Sequence, residues 1–459
     1  MPNNQDLMFP KIKTLNQRQF IQLAKTLITI SVFTFSSYGY SFTSCEAVSP
    51  PITLNQQDAL QRLHDCNRDL TDIRRGIFMN EANLTIAGQT QNPNLTIGIG
   101  NINPKLGIGS GSYFDKTIDS SVRYEQLIER GNKRGLRVKS AQDQVLAAKQ
   151  DVLDIERQQS IALLRAMVDL AAISERVNLL SQVVALYAET LHANTIRAEK
   201  GDLPPIDAQR QKIDANRAQI ELRQAQSETK AAQLTLATLL AWESKADILV
   251  VEPSILEFSP LNLSSLNLSP ADVSRFDLSN RADVKAAQLR VDAASEQLAL
   301  AQAQLKSDVT AGVQYDHWPT SASNATGTGD TISFTVGIPL TVNHRYEGEI
   351  ALANSDYAAA KESLAHIEAN AKIEWQRMNA EVVSAEDNLQ ILQKEQLPRA
   401  EDVARTVEFG YKKGALDLLD LLDARRMLRQ TRLDTLNAKA NLARATLARN
   451  QSISANNAH

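Results

Sequence analysis

The segment TISFTVGIPL, residues 331–340, alternates apolar residues with small or polar ones along its whole length. Successive side chains of a strand point to opposite faces, so Ile332, Phe334 and Val336 would share one face. About ten residues is also the length at which a tilted strand crosses an outer membrane. The segment therefore predicts a membrane-spanning β-strand with one apolar face and one polar face.

Alternation of this kind recurs in three further segments, at 95–99, 122–124 and 309–315. The four segments predict two strand pairs, at 94–127 and 308–341. The loop within each pair is long and rich in glycine, serine and asparagine, as extracellular loops of outer-membrane barrels tend to be. Two soluble β-hairpins packed on a helical bundle would also explain the alternation, and the alternation alone does not exclude them.

Most of the remaining chain is free of glycine and proline and rich in alanine, leucine, glutamine, glutamate and arginine, which are good helix formers. The longest such stretch, 136–200, would form a helix of roughly 100 Å at a rise of about 1.5 Å per residue. Apolar residues at alternating spacings of three and four, as at Leu433, Leu436 and Ala440, predict coiled-coil packing. A generic helical bundle or a long coiled coil is the plainer interpretation of these stretches.

The chain repeats itself at an offset of 213 residues. The matching pairs are Asn67-Arg68 with Asn280-Arg281, Gly135 with Gly348, Gly201 with Gly414, and Ile206-Asp207 with Leu419-Asp420. One offset that holds along the whole unit indicates an internal duplication. The predicted organisation is a first repeat at 45–253, a linker rich in proline, serine and asparagine at 254–270, a second repeat at 271–450 and a polar tail at 451–459.

Each repeat thus supplies long helices and two strands. Four strands are too few to close a barrel, because about eight is the usual minimum. Unpaired strand edges are also not tolerated in lipid, where no water can bond the backbone. If the strands span a membrane, several chains must contribute to one barrel, and the helices should form a tube that continues from it.

The N-terminal segment 1–44 has basic residues, then the apolar run TLITISVFTF (26–35), then small and polar residues, which together predict a secretory signal peptide. Cys45 follows directly. It is a candidate lipid anchor of a lipoprotein, and the alternative is ordinary cleavage nearby with Cys45 free or paired with Cys66. No later segment has about 18 continuous apolar residues.

Composition excludes several classes of function. A net charge of −4 argues against a nucleic-acid binder. The sequence has no Walker loop, no HExxH motif and no paired-cysteine metal site, and its six histidines are scattered. We therefore expect no enzymatic activity, no cofactor and no bound metal.

The duplicated helix–strand-pair–helix unit, with Gly201 and the sequence Tyr411-Lys412-Lys413-Gly414 at equivalent helix ends, resembles the outer-membrane efflux protein family of TolC-like channels. The resemblance covers nearly all of the mature chain. It implies a fold that is mainly α with transmembrane β: a homotrimer with a twelve-stranded β-barrel, four strands per chain, and an α-barrel tunnel in the periplasm. It also implies partners, namely a periplasmic adaptor protein, an inner-membrane proton-driven pump and outer-membrane lipid.

Two segments, VRYEQLIERGNKRGLRV (122–138) and HRYEGEIALA (344–353), resemble most the subgroup that serves heavy-metal efflux pumps of the cobalt–zinc–cadmium type. The resemblance implies a passive exit duct for divalent metal cations and a role in heavy-metal resistance. A duct for drugs or other organic solutes is the alternative within the same class. A periplasmic coiled-coil adaptor or structural protein is the alternative from another class.

The stretch YKKGALDLLDLLDARR, residues 411–426, places aspartates at 417, 420 and 423. Asp417 is well placed to cap a helix that starts after it. Asp420 and Asp423 match family positions whose carboxylates surround the periplasmic aperture, where such a ring would attract cations and repel anions. Gly201 and Gly414 match the tip turns.

Tyr411 and Asp207 match family positions that tie neighbouring helices at the closed tip. In part of the family a basic residue two places after the tip glycine completes this latch, but Leu416 stands there. We therefore expect closure to depend more on apolar packing, or on Lys412 and Lys413.

Overall fold

The structure is a computed structural model that describes residues 53–105, 107–112, 116–201, 204–257, 278–319 and 329–457, together with Cys45 and Pro50. The predicted signal peptide and most of the predicted linker lie outside the described residues. Within these ranges the chain forms eight α-helices and four strands. The helices are α1 (Gln56–Cys66), α2 (Arg68–Gly88), α3 (Lys133–Glu199), α4 (Pro205–Leu240), α5 (Ala282–Ala303), α6 (Glu347–Ile391), α7 (Leu397–Lys412) and α8 (Leu418–Asn457).

The strands are β1 (Asn94–Gly100), β2 (Asp119–Ile128), β3 (Val309–Trp318) and β4 (Gly329–Gly337). They form one antiparallel sheet in the order β1-β2-β3-β4, so the two predicted pairs join through β2 and β3. The expectation of four strands per chain is confirmed, although β1 has only 7 residues because the chain turns at Asn101, where φ is +57°.

The sheet has two chemically different faces. Val122 pairs with Ile97 and Tyr315, and Phe334 pairs with Val313, so apolar side chains of all four strands share one face. These side chains are exposed, with Phe334 at 83%. On the opposite face Arg123 Nε donates to Gln314 Oε1 at 2.6 Å, and Gln314 Nε2 donates to Asp316 Oδ1 at 2.7 Å.

Each repeat has one long helix with two shorter helices packed along it end to end. In the first repeat α2 and α4 lie along α3, and in the second α5 and α8 lie along α6 and α7. The two long units are joined because α5 and α8 also pack on α3. The helices nearest the sheet are therefore ordered α2-α3-α5-α6, in the same sequence as the strands that they adjoin. The helices farther from the sheet are ordered α4-α3-α8-α7.

The main hydrophobic core lies where the shorter helices of the first repeat meet α3. It contains Leu63 and Leu70 of α1 and α2, Met167 of α3, and Leu236 of α4, all with essentially no exposed area. The apolar spacing in α8 is also used here, since Leu436, Ala440, Ala443 and Leu447 pack into the same cluster. Many of these positions are alanine, which lets helices approach closely.

The second long helix is interrupted where the first is continuous. A π-helical turn, Leu392–Gln396, separates α6 from α7. Pro398 has no backbone N–H to donate to the preceding turn, and a π-turn accommodates the disrupted ladder. At the offset of 213 residues, Pro398 corresponds to Ala185 of α3, where no interruption occurs. In the part of the chain that the structure describes, no helix combines the length and hydropathy needed to cross a bilayer.

Candidate functional site at the helix tips

The helices farthest from the sheet end in two glycine turns. Gly201 ends the α3 side of the first turn with φ +82°, and Gly414 ends the α7 side of the second with φ +78°. Side chains are rarely tolerated in this left-handed region, so glycine is favoured at both positions. After the first turn, Pro205 stands at the start of α4, where a missing N–H costs nothing.

Asp417 and Asp420 form a reciprocal cap at the start of α8. Asp420 N donates to Asp417 Oδ1 at 2.9 Å, and Asp417 N donates to Asp420 Oδ2 at 3.4 Å. This arrangement satisfies two backbone donors of the first helical turn, and both carboxylates complement the helix dipole. The geometry therefore agrees with the capping role predicted for Asp417 and adds Asp420 to the same cap.

Asp423 lies on the exposed side of α8, one turn beyond Asp420, and its side chain is 61% exposed. Arg426 Nη1 donates to Asp423 Oδ1 at 2.9 Å, while Arg426 Nη2 donates to Asp214 Oδ2 of α4 at 2.6 Å. The hydrogen bond to the buried Asp214 raises the pKa of Arg426. Arg426 therefore partly neutralises Asp423 and connects α8 to α4.

Tyr411 contacts α3 and not Asp207. Its hydroxyl donates to Asn194 Oδ1 at 3.1 Å and accepts from Arg197 Nη1 at 3.2 Å. Asn194, which is buried, donates in turn to Gln211 Oε1 of α4 at 2.9 Å. Within the chain, Asp207 instead pairs with Arg210 of its own helix.

Sequence reasoning missed the other polar contacts that join the tip helices. Arg425 Nη1 donates to Thr190 Oγ1 of α3 at 2.9 Å, and Arg425 also pairs with Glu408 of α7 at 3.4 Å. Arg429 pairs with Glu221 of α4 at 3.4 Å. The run of arginines in α8 was visible in the sequence, but their partners are set by helix packing and have no local signal.

Apolar packing also closes the end of α7. Leu418, Leu421 and Leu422 form a buried cluster, against which Tyr411 packs. Leu416 lies directly over Gly410, since a Cβ built on that glycine would stand 2.7 Å from Leu416 Cδ1. Leu416 thus makes an apolar contact with the last turns of α7.

Cys45 forms a disulfide with Cys66 at the end of α1, with the two Cα atoms 5.7 Å apart. This is one of the alternatives that the sequence left open for Cys45. Among the described residues, no group of three or more histidine, cysteine, aspartate or glutamate side chains is arranged to hold a metal ion.

Comparison with known proteins agrees with this architecture. Residues 277–451 match the family model described as outer membrane efflux protein. This match covers most of the second repeat. No curated protein sequence is significantly similar to the chain.

Solved structures cover both repeats. The outer membrane protein VceC of Vibrio cholerae matches with a TM-score of 0.68 and 18% identity, over 87% of this chain and 95% of VceC. CusC, described in terms of transmembrane channel formation, matches with a TM-score of 0.71 and 14% identity, over 89% and 95%. The MtrE outer membrane channel of Neisseria gonorrhoeae matches with a TM-score of 0.65 and 16% identity, over 87% and 88%. The chain therefore has the fold of outer-membrane channel proteins, with long helices and a four-stranded sheet.

Proposed function

We propose that the chain is an outer membrane efflux protein, the passive exit duct of a tripartite efflux system. The single observation that carries the proposal is the exposed apolar face of a four-stranded sheet, set at one end of helices whose fold is that of outer-membrane channels. The family match over 277–451 supports it independently. The sheet then lies in the outer membrane and the helices in the periplasm, where an adaptor and a proton-driven inner-membrane pump would engage them.

The sheet is incomplete as a membrane structure, which argues for a homotrimer. β1 and β4 are edge strands, and an unpaired edge is not tolerated in lipid. Pairing β4 of one copy with β1 of the next satisfies both edges, and three copies give twelve strands. The helix layers have free edges on the same two sides, at α2 and α4 beside β1 and at α6 and α7 beside β4.

The free edge at α4 carries an apolar stripe that supports this arrangement. Ile206, Ile213, Ile220 and Leu234 recur at multiples of seven residues and are 54–64% exposed. Heptad spacing is the pattern by which one helix packs against another. We assign the partner helices to α6 and α7 of the next copy, because those elements form the opposite free edge.

We further propose that Asp420 and Asp423 surround the aperture of this trimer. Both carboxylates lie on the exposed side of α8 next to the tip turn, and three copies would place six of them around the axis. A narrow ring of this sign attracts cations and repels anions. Arg426 reduces the effect of Asp423, so Asp420 would contribute more of the field.

Divalent metal cations are the cargo that we propose first. Support comes from the aspartates and from the resemblance of 122–138 and 344–353 to the metal-efflux subgroup. The structure gives 122–138 another use, since Lys133 pairs with Asp308 and Arg137 with Glu129 where strands meet helices. Because this segment stabilises a junction, drugs or organic solutes are the second candidate.

Growth of a deletion strain tests both cargo classes. The strain, with and without the restored gene, would be challenged with zinc, cobalt and cadmium salts and with a panel of drugs. Sensitivity to metals alone supports the first candidate, and sensitivity to drugs alone supports the second. A chain that fractionates as a periplasmic protein without detergent, and shows no heat-modifiable band on gels, would contradict the channel itself and favour a periplasmic adaptor.

A further inference from the structure

Covalent and non-covalent contacts hold Cys45 far from the sheet. Cys45 and Cys66 are joined at the end of α1, and Cys66 is buried. A sulfur atom in a disulfide has no valence left for the thioether bond of a lipid anchor. Acylation of Cys45 and the disulfide are therefore mutually exclusive states of one atom.

Arg62 holds the backbone of Cys45 independently of the sulfur. Its guanidinium donates from Nε to Leu240 O at 3.0 Å, from Nη2 to Ala241 O at 3.3 Å, and from Nη2 also to Cys45 O. Leu240 ends α4 and Ala241 follows it as the C-cap, where carbonyls lack partners within the helix. Arg62 therefore caps α4 and binds Cys45 with the same group.

Two neighbouring contacts fix the position of Arg62 and the end of α4. The Arg62 guanidinium lies 4.7 Å from the ring centroid of Trp242, a cation–π contact. Asn67 Nδ2 donates to Leu239 O at 3.0 Å, which adds a second side-chain cap to α4. Cys66 is adjacent to Asn67 in sequence, so the cap also fixes the position of the second sulfur.

Cys45 also lies too far from the sheet to serve as a lipid anchor. Helix α2 separates Cys66 from β1, and its 21 residues span about 30 Å at 1.5 Å per residue. A lipid attached to a cysteine must place its acyl chains in the bilayer, which here surrounds the sheet. Acylation would require Cys45 to leave both Arg62 and Cys66.

We propose that Cys45 carries no lipid and is oxidised with Cys66 to a disulfide that fastens Cys45 to the end of α1. The proposal rests on the proposed function for the compartment, since the periplasm is oxidising. Two thiols would exchange with the disulfide of a thiol–disulfide oxidoreductase. They lose two protons and two electrons, and the oxidoreductase disulfide is reduced to a dithiol.

Peptide mass spectrometry of the full chain tests this assignment. The chain would be taken from the membrane fraction, treated with iodoacetamide under denaturing conditions and cut with trypsin without reduction. Trypsin releases Cys66 within Leu63–Arg68 and releases Cys45 in the peptide that ends at Arg62. We expect these two peptides to be joined, to separate on reduction, and to lack any lipid mass.

Two variants keep the test decisive. In Cys66→Ser, Cys45 should become available to iodoacetamide, and in Cys45→Ala the chain should stay in the outer-membrane fraction with unchanged heat-modifiability. A diacylglyceryl mass on Cys45 of the wild-type chain, or free thiols on both residues, would overturn the assignment while leaving the channel proposal intact. An intact disulfide in a chain found only in the soluble fraction would do the reverse.

Discussion

At the scale of single residues, the three aspartates at the start of α8 differ in their surroundings. Asp417 and Asp420 exchange hydrogen bonds with each other's backbone, whereas Asp423 pairs with Arg426. A cap tolerates an amide as well as a carboxylate, because either side chain offers an acceptor oxygen. The capping role and the field of the carboxylates can therefore be separated by substitution with asparagine.

The doubly substituted chain Asp420→Asn with Asp423→Asn should fold normally and lose cation preference. The amide oxygen introduced by Asp420→Asn can still accept from Asp417 N, so α8 keeps its cap. In planar bilayers under a salt gradient, we expect the reversal potential to move toward zero. Asp72→Asn removes an exposed carboxylate from α2, far from the tip, and should leave the potential unchanged. An unshifted potential in the double variant would refute the aperture assignment.

The tip shows what the sequence could and could not reveal. Spacing alone predicted the cap by Asp417, because a capping pair is local in sequence. The contact of Tyr411 with Asn194 and the pairing of Arg426 with Asp214 depend on how α7 and α8 lie against α3 and α4. These residues are more than 200 positions apart, so no local spacing identifies the partners.

At the scale of elements, a buried ionic cluster joins three helices at the start of the second repeat. Arg281 binds Asp283 at 2.8 Å and Glu374 of α6 at 2.8 Å, and Glu374 also pairs with Arg157 of α3. Burial alone would raise the pKa of Asp283, but the hydrogen bonds and charge of Arg281 more than offset it and hold the pKa below its usual range. The duplicated position of Arg281 is Arg68, which is exposed and pairs with Glu243.

This cluster should make the folded chain less stable at acid pH. The pKa of Asp283 is depressed in the folded chain, so its contribution is present above the unfolded value of about 3.9 and is lost as pH falls through the folded value. Thermal unfolding in detergent, measured at neutral pH and near pH 3, should show Asp283→Asn less stable than wild type at neutral pH. The difference should shrink in acid. A constant difference would mean that Asp283 acts by packing and not by charge.

The apolar stripe of α4 should be needed for assembly and not for folding of one chain. Ile213 and Ile220 are more than half exposed, and burying each against a neighbour is worth about 1–2 kcal/mol. Ile213→Ser with Ile220→Ser should lower the trimer fraction in native gels and cross-linking, with helix content by circular dichroism unchanged. Ile248→Ser, at 58% exposure outside the stripe, is the matched control. Unchanged assembly of the double variant would exclude this seam.

At the scale of the whole molecule, the sheet is the part of the chain that the proposed assembly would complete. Its sheet exposes apolar side chains on one face and polar side chains on the other, and within the described ranges the edge strands β1 and β4 each pair on one side only. The period of two in the sequence predicted the two faces because burial, by lipid or by protein, selects residue type at each position. The same period could not distinguish a lipid-facing sheet from soluble hairpins. That distinction depends on how the four strands join and on what covers their apolar face, and neither is encoded in a local period.

Two adjacent residues of β4 can settle which face meets lipid. Phe334 is 83% exposed on the apolar face, and Ser333 faces the opposite side, next to Gln314. A lysine at the bilayer midplane of a barrel costs about 2–4 kcal/mol on the lipid face, and three copies of the chain would incur it three times. Phe334→Lys should therefore reduce the heat-modifiable trimer in the outer-membrane fraction, whereas Ser333→Lys should assemble and shift the conductance of the water-filled interior. Equal assembly of both variants would argue that neither face contacts lipid, and loss of assembly only in Ser333→Lys would reverse the orientation of the sheet.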